Sequence, residues 1–360
     1  MELKHQTGQA SRLSVKKDKE YIKLTIEEIP KIELHRHLEG SIRPKTFFEE
    51  AKRQRLELPA QSLQEMIPYL CVTEGEERSL SQFLTKFTWL RQIITNPETL
   101  ARITFESLED AWKSGTIYAE LRFNPTGMFQ MGMSEEEIAA GIDEGMREAR
   151  RRYGIMCTTI SGIMRDRSRD VAERSMQFAK RYAGHIISGV DLFSNEAFPA
   201  DPFRDLLMDA HQAGLHLTIH AGEAKGAENV KEAIEIGAER IGHGVRLFED
   251  PSVIQLAKSR NVLLEMCPTS NVQTGAVETM RKHPLPIAYR DGIPVCINTD
   301  DPGVSNTDLV QEYTIAQEQL GFSIEDLSLL NLSAADYIFD NGSISKVREI
   351  ISKFIEKRIK

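Results

Sequence analysis

Residues 32–44 read IELHRHLEGSIRP, and the fold turns on whether they begin an open sheet or a closed barrel. In extended chain the side chains at i and i+2 share a face, so His35 and His37 project together beside Glu33, with Leu34 and Arg36 opposite. A doubly wound sheet would follow its first strand with a glycine-rich phosphate turn, and HLEGSIRP is not one. Seven further apolar or β-branched runs follow, at 116–125, 156–164, 185–194, 215–223, 239–244, 261–268 and 294–302. Between them lie helical patterns such as 134–152, where Ser134 and Glu137 form a capping box, and 202–214, closing on Gly214. Repeated strand–helix units imply parallel strands joined by right-handed crossovers. Eight of them predict an α/β fold, a closed (β/α)8 TIM barrel. The first connection, residues 38–115, is far too long for a simple crossover and carries two amphipathic patterns, Leu63/Met66/Ile67/Leu70 and Leu80/Phe83/Leu84/Phe87/Leu90. It predicts extra helices inserted after the first strand, with residues 60–95 as a lid over the C-terminal face.

Several strand ends carry residues that suit a site better than a core. The first ends His35-Arg36-His37, the fifth His220-Ala221-Gly222-Glu223, the sixth Gly242-His243-Gly244 and the eighth Asp300-Asp301-Pro302. Barrel enzymes build their active sites from these C-terminal ends. One such histidine is ordinarily a rim residue, but packing does not explain four of them with a glutamate and two aspartates. His216, four residues deeper than His220, reads as structural. Closure makes the first and eighth strands neighbours, placing Asp300 beside His35 and His37, with His220 reaching in from across the barrel. Three imidazoles and a carboxylate suit Zn²⁺, and no lysine ends the fourth strand to bridge a second ion. Zinc lowers the pKa of bound water to about 7. His243 is then placed to take or orient that water's proton, Glu223 to give a proton to the substrate, and Asp301 to bind substrate. The chemistry is that of a zinc-dependent hydrolase acting on a C–N, C–O or P–O centre.

Composition excludes some partners without naming a substrate. A net charge of -9 argues against nucleic acid, which needs a basic footprint. With 41% hydrophobic and 28% charged residues the chain resembles an ordinary globular protein. Cys71, Cys157, Cys267 and Cys296 are widely spaced, as expected of reduced thiols in a cytoplasmic protein. Residues 1–25 read as a polar N-terminal arm without the apolar core of a signal peptide, and 26–360 as a single domain. No run approaches the 18 apolar residues of a membrane span, so no membrane partner is expected.

Taken in order, HRHLEGSIRP, IHAGE, AERIGHGV, CPTSNVQTGAV and INTDDPG resemble the adenosine deaminase family of the amidohydrolase superfamily, its bacterial branch in particular, from about residue 32 to the C-terminus. The resemblance implies a (β/α)8 barrel holding one zinc on His35, His37, His220 and Asp300. It implies conversion of adenosine or 2′-deoxyadenosine to inosine or 2′-deoxyinosine and ammonia, a reaction of purine salvage. Glu223 would protonate purine N1, His243 would serve the zinc-bound water, and Asp301 would accept a hydrogen bond at N7. Two positions depart from the family pattern. Glu39 replaces the usual Asp of HxHLDG, which contacts the ribose 5′ hydroxyl. Ser194 in DLFSNE stands where DLAGDE has the glycine whose amide touches purine N3, with Phe193 narrowing the pocket floor. These changes raise a second expectation, a substrate such as adenine, 5′-deoxyadenosine or 5′-methylthioadenosine. A zinc barrel without enzymatic activity should have lost Glu223 or His243, and both are present.

Overall fold

A computed structural model describes residues 25–359. Of the expected arm, 1–25, all but Thr25 lies outside the described residues. The stretch KIELHRH forms β1, Lys31–His37, buried except at His37, which is half-buried. Seven more strands follow: β2 Thr116–Phe123, β3 Met156–Met164, β4 Ile187–Phe193, β5 His216–Ala221, β6 Arg240–His243, β7 Leu263–Met266 and β8 Val295–Ile297. They pair in parallel in chain order, as predicted.

Closure between β1 and β8 uses one side chain and a single backbone bridge in place of a full ladder. The Asn298 carboxamide oxygen accepts the Leu34 and His35 amides at 2.8 and 3.1 Å. Beyond it the Asp300 amide donates to the His35 carbonyl at 3.0 Å, and the His37 amide donates to the Asp300 carbonyl at 2.8 Å. The bonds that close the ring therefore also set Asp300 against the two histidines.

The later strands are shorter than their apolar runs, because the polar residues at their ends leave the sheet. Pro268 begins the helix Pro268–Gln273, and Pro125 begins Pro125–Gln130 behind its cap, Asn124; proline suits a first helical position, where no amide is needed. The Ser134–Glu137 capping box opens the helix Glu135–Tyr153. The helix expected over 202–214 runs Arg204–Gln212 after a 3-10 turn, Asp201–Phe203. The insertion after β1 forms α1 Pro44–Arg53, α2 Leu63–Leu70, α3 Leu80–Leu84, α4 Phe87–Leu90 and α5 Pro97–Lys113. Met66, Leu70, Phe83, Phe87 and Leu90 are buried, which accounts for the amphipathic spacing.

The barrel interior holds charge where such barrels usually pack branched aliphatic side chains. Arg240 pairs with Glu120 and Glu265, each at 2.6 Å, and Arg122 with Glu265 at 2.7 Å and Asp191 at 2.9 Å. All five are buried. Such charges are tolerable only when each has a partner, and here each does. The four cysteines are buried and free. No described helix is long and apolar enough to cross a membrane.

Candidate active site

The ionic network in the barrel rises directly into the cluster of strand-end histidines. Nδ1 of His35 lies 2.8 Å from Glu265, and Nδ1 of His220 lies 3.0 Å from Asp191. Burial alone would raise both carboxyls. His220 and then Arg122 hold Asp191 below the usual carboxylate range, and Arg122 and then Arg240 do the same for Glu265. An ionised carboxylate on Nδ1 requires the proton there, which leaves the Nε2 lone pair of each ring facing inward, the tautomer a metal needs.

Those inward atoms converge. Nε2 of His35, buried and without a hydrogen-bond partner, lies 3.1 Å from Asp300 Oδ1. His37 Nε2 lies 3.3 Å from the same oxygen and 3.3 Å from His220 Nε2. The other Asp300 oxygen accepts the Ser270 hydroxyl at 2.6 Å. Two donors each about 2.1 Å from a tetrahedral ion stand roughly 3.4 Å apart, so these separations and donor types fit a metal ion. The sequence-predicted ligands His35, His37, His220 and Asp300 are therefore brought together.

His243 belongs to the same cluster, with its nearest ring nitrogen, that of His35, that of His220 and an Asp300 oxygen all within 4.8 Å of one another. Its hydrogen bonds set it apart from the other rings. The Cys267 amide can only donate, and it donates to Asn271 Oδ1 at 3.3 Å. The Asn271 nitrogen therefore faces His243 and donates to Nδ1 at 3.0 Å. Burial, joined by the nearby His35 and His220, holds His243 well below the usual histidine range, so the ring is neutral. A neutral ring that accepts at Nδ1 carries its proton on Nε2. His283 continues the chain: Nδ1 accepts the Leu285 amide at 3.2 Å and Nε2 donates to Asn271 Oδ1 at 3.1 Å. His243 thus presents an N–H to the centre, where His35 and His220 present lone pairs.

Glu223, buried, faces this N–H, with Oε2 3.6 Å from His243 Nε2. Its turn is clamped by Glu196, which accepts the amides of Gly222, Glu223 and Lys225 at 3.1, 3.0 and 2.9 Å. Gly222 sits at φ +72°, the left-handed region that glycine adopts without cost. Burial, with the charges of Asp300 and Glu196 nearby, raises the Glu223 carboxyl well above the usual range and keeps it protonated. Asp301 is likewise raised well above it, by burial first and then by Asp300, Glu39 and Glu223. Its Oδ1 is buried without a partner, against Gly40, where a Cβ would collide with the carboxyl.

Glu39 and Ser194 line the same cavity of about 870 Å³, which opens to solvent. Glu39 is buried and accepts the Asn124 amide at 2.8 Å; burial raises its carboxyl too. Ser194 sits at φ +82°, a conformation that costs a non-glycine residue roughly 1 kcal/mol or more. Phe193 packs toward His37 and His220, with ring centroids 5.9 and 6.0 Å apart. Leu80, Phe83, Leu84 and Phe87 of the insertion form one wall, in keeping with the expected lid position. His216 lies away from the cluster, bonded to Glu239 at 2.7 Å and stacked on Phe339.

Sequence reasoning passed over Glu265, Asp191, Arg122, Ser270 and Asn271. The available signal was charge inside apolar strands: Glu265 in LLEM and Arg122 in TIYAELRF.

The family model for adenosine deaminase matches residues 30–356. An adenosine deaminase of Escherichia coli O157:H7 (strain EC4115) is 38% identical over 323 residues, 87% of this chain and 95% of the relative. Among solved structures, an adenine deaminase from Arthrobacter aurescens matches with a TM-score of 0.84 at 28% identity, covering 91% of this chain and 99% of its own. An amidohydrolase with bound Zn from Burkholderia ambifaria matches with a TM-score of 0.84 at 26% identity, covering 95% and 96%. The eight-stranded barrel, the histidine–aspartate cluster at its C-terminal rim and a match spanning nearly the whole barrel agree: this chain belongs to the adenosine deaminase family, hydrolases acting on C–N bonds.

Proposed function

We propose that the protein hydrolyses the 6-amino group of a purine nucleoside, converting adenosine or 2′-deoxyadenosine and water to the inosine counterpart and ammonia. The observation that carries this reading is the protonated Glu223 carboxyl facing the His243 N–H and the metal-competent cluster across one cavity. In this reading His35, His37, His220 and Asp300 hold Zn²⁺. His243 stays off the metal because its Nε2 bears a proton. Zinc there would make hydroxide available at neutral pH.

The protein's own groups then divide the work. His243 donates from Nε2 to the attacking oxygen and orients it toward C6; of the two roles open to it from sequence, taking or orienting the proton, the hydrogen-bond chain supports orienting. Glu223 delivers its proton to N1 as oxygen adds to C6, so the ring's charge is neutralised where it develops. Asp301 holds N7. The expectation that it accepts a hydrogen bond there needs correction, because purine N7 offers only a lone pair; the protonated Asp301 carboxyl has to donate. In the adduct the new hydroxyl's proton passes to the 6-amino nitrogen, the C6–N bond breaks to release ammonia and leave the 6-oxo purine, and the proton first shed by water restores Glu223. Glu39 takes the ribose 5′ side, and Ser194 offers its amide at the pocket floor.

A purine nucleoside is thus the proposed partner, and the four buried free thiols support a reducing, cytoplasmic setting. The test is a spectrophotometric deamination assay of the zinc-replete protein on adenosine, 2′-deoxyadenosine, adenine and neutral 5′-modified adenosines. Turnover of the nucleosides supports the reading, and silence on all of them overturns it.

A further inference from the structure

Arg91 opens the short turn after α4 and lines the cavity beside Leu80, Phe83, Leu84 and Phe87. Its Nε is buried without a hydrogen-bond partner among the described residues. No described carboxylate stands within ion-pair distance of it, and the guanidinium lies over the Phe87 ring, 5.5 Å from its centroid. The other arginines here are spoken for or exposed. Arg165 donates to the Leu192 and His220 carbonyls at 3.0 and 2.5 Å, and Arg167 is exposed, 3.9 Å from Asp166.

Arg91 stands on the Glu39 side of the cavity that Glu39 and Asp301 both line: its Cδ lies beside Gly127, whose amide Asn124 caps, and the Asn124 amide in turn donates to Glu39. Neutralising those two carboxyls would be its simplest role, yet it pairs with neither. Glu39 takes its hydrogen bond from the Asn124 amide instead. Arg91 is half-buried and only its Nε is enclosed without a partner, so its terminal nitrogens are left free to meet an anion entering beside the apolar wall. The wall also shapes that anion's stem: four apolar side chains give a bare, strongly hydrated phosphate few donors but suit a carbon chain.

We propose that the cavity selects 6-aminopurine nucleosides whose 5′ carbon carries an apolar extension ending in a carboxylate, with Arg91 as the carboxylate's partner and Leu80, Phe83, Leu84 and Phe87 as the sleeve around the extension. The proposal rests on the reading above that Glu39 marks the ribose 5′ side. It assigns Glu39 a matching role: a longer carboxylate fills the space at a 5′ carbon that has no hydroxyl to bind.

The test compares kcat/KM for adenosine, adenosine 5′-monophosphate, 5′-deoxy-5′-(carboxypropylthio)adenosine and its uncharged butylthio analogue, in wild type, Arg91→Gln and Arg91→Lys. A charge-assisted contact predicts that the wild type prefers the carboxylate over the butylthio compound by roughly tenfold or more. That preference should vanish in Arg91→Gln and survive in part in Arg91→Lys. Calorimetric titration with the 6-oxo forms of the two thioethers reads the same preference without turnover. It therefore still decides the matter if no compound is deaminated, an outcome that would overturn the deaminase reading alone. Equal binding of acid and neutral compounds, or a preference unchanged in Arg91→Gln, overturns the proposal. A monophosphate that outperforms the carboxylate would keep Arg91 as an anion site and overturn the apolar extension.

Discussion

Asn271 donates its side-chain N–H to Nδ1 of His243 at 3.0 Å, and the Cys267 amide on its oxygen leaves that carboxamide no other orientation. The ring closest to Glu223 is thereby kept as an Nε2–H donor. In Asn271→Asp the new carboxylate would take the proton at Nδ1 and turn the Nε2 lone pair inward. We expect kcat to fall at least tenfold with KM little changed. Ring nitrogen shifts in a histidine-labelled sample should show the proton moving from Nε2 to Nδ1, and an unmoved tautomer would remove the explanation.

In the proposed reaction Glu223 has to be protonated to act, and its carboxyl is held well above the ordinary range by burial and by Asp300 and Glu196. Activity should therefore decline as pH rises through that elevated value, giving an alkaline limb. Glu223→Gln cannot deliver a proton, so kcat should drop by about 100-fold or more with no such limb in what remains. A variant that keeps both rate and limb would assign the acid role elsewhere.

Glu265 orients His35 and is itself held by Arg122 and Arg240. Glu265→Gln keeps the shape but loses the charge that fixes the His35 tautomer. Metal affinity should weaken by roughly 10- to 100-fold, measured by competition with a chromogenic chelator. Unaltered affinity would mean that geometry alone positions the imidazole.

Glu312 lies apart from the cluster, buried, accepting the Thr269 amide at 3.1 Å and the Thr307 hydroxyl at 2.7 Å. Burial, against these hydrogen bonds, raises its carboxyl from 4.5 to about 7. A folded value above the unfolded one means that the native state binds the proton more tightly. This contribution to stability is complete below the unfolded value and is lost as pH climbs through about 7. The loss should be on the order of 3 kcal/mol. Glu312→Gln should flatten it, so urea unfolding of both proteins across that window should give diverging slopes. Parallel slopes would contradict the buried-acid reading.

The strand order and the rim of the barrel were legible because they are written in neighbouring residues. HRH, HAGE, GHG and TDDP each place polar side chains where a strand leaves the sheet, and closure of eight strands brings those ends together. Their lengths were less legible: β8 ends at Ile297, three residues before Asp300, since Asn298 and Asp300 bond to β1 in place of a regular ladder. The left-handed backbone at Ser194, His243 and Asp300 was equally hidden, for non-glycine residues adopt it only when their surroundings compel it.

From the sequence alone came the barrel and the polar rim residues it gathers, because alternation and spacing are local properties that survive in one dimension. Only the tertiary structure decided which partner His35, His220 and His243 each meet at Nδ1, and which arginine lining the cavity stands without a carboxylate. Glu265 lies 230 positions from His35, and Asn271 lies 28 from His243. A proton goes where a partner in space accepts or donates, and that partner is chosen by the fold.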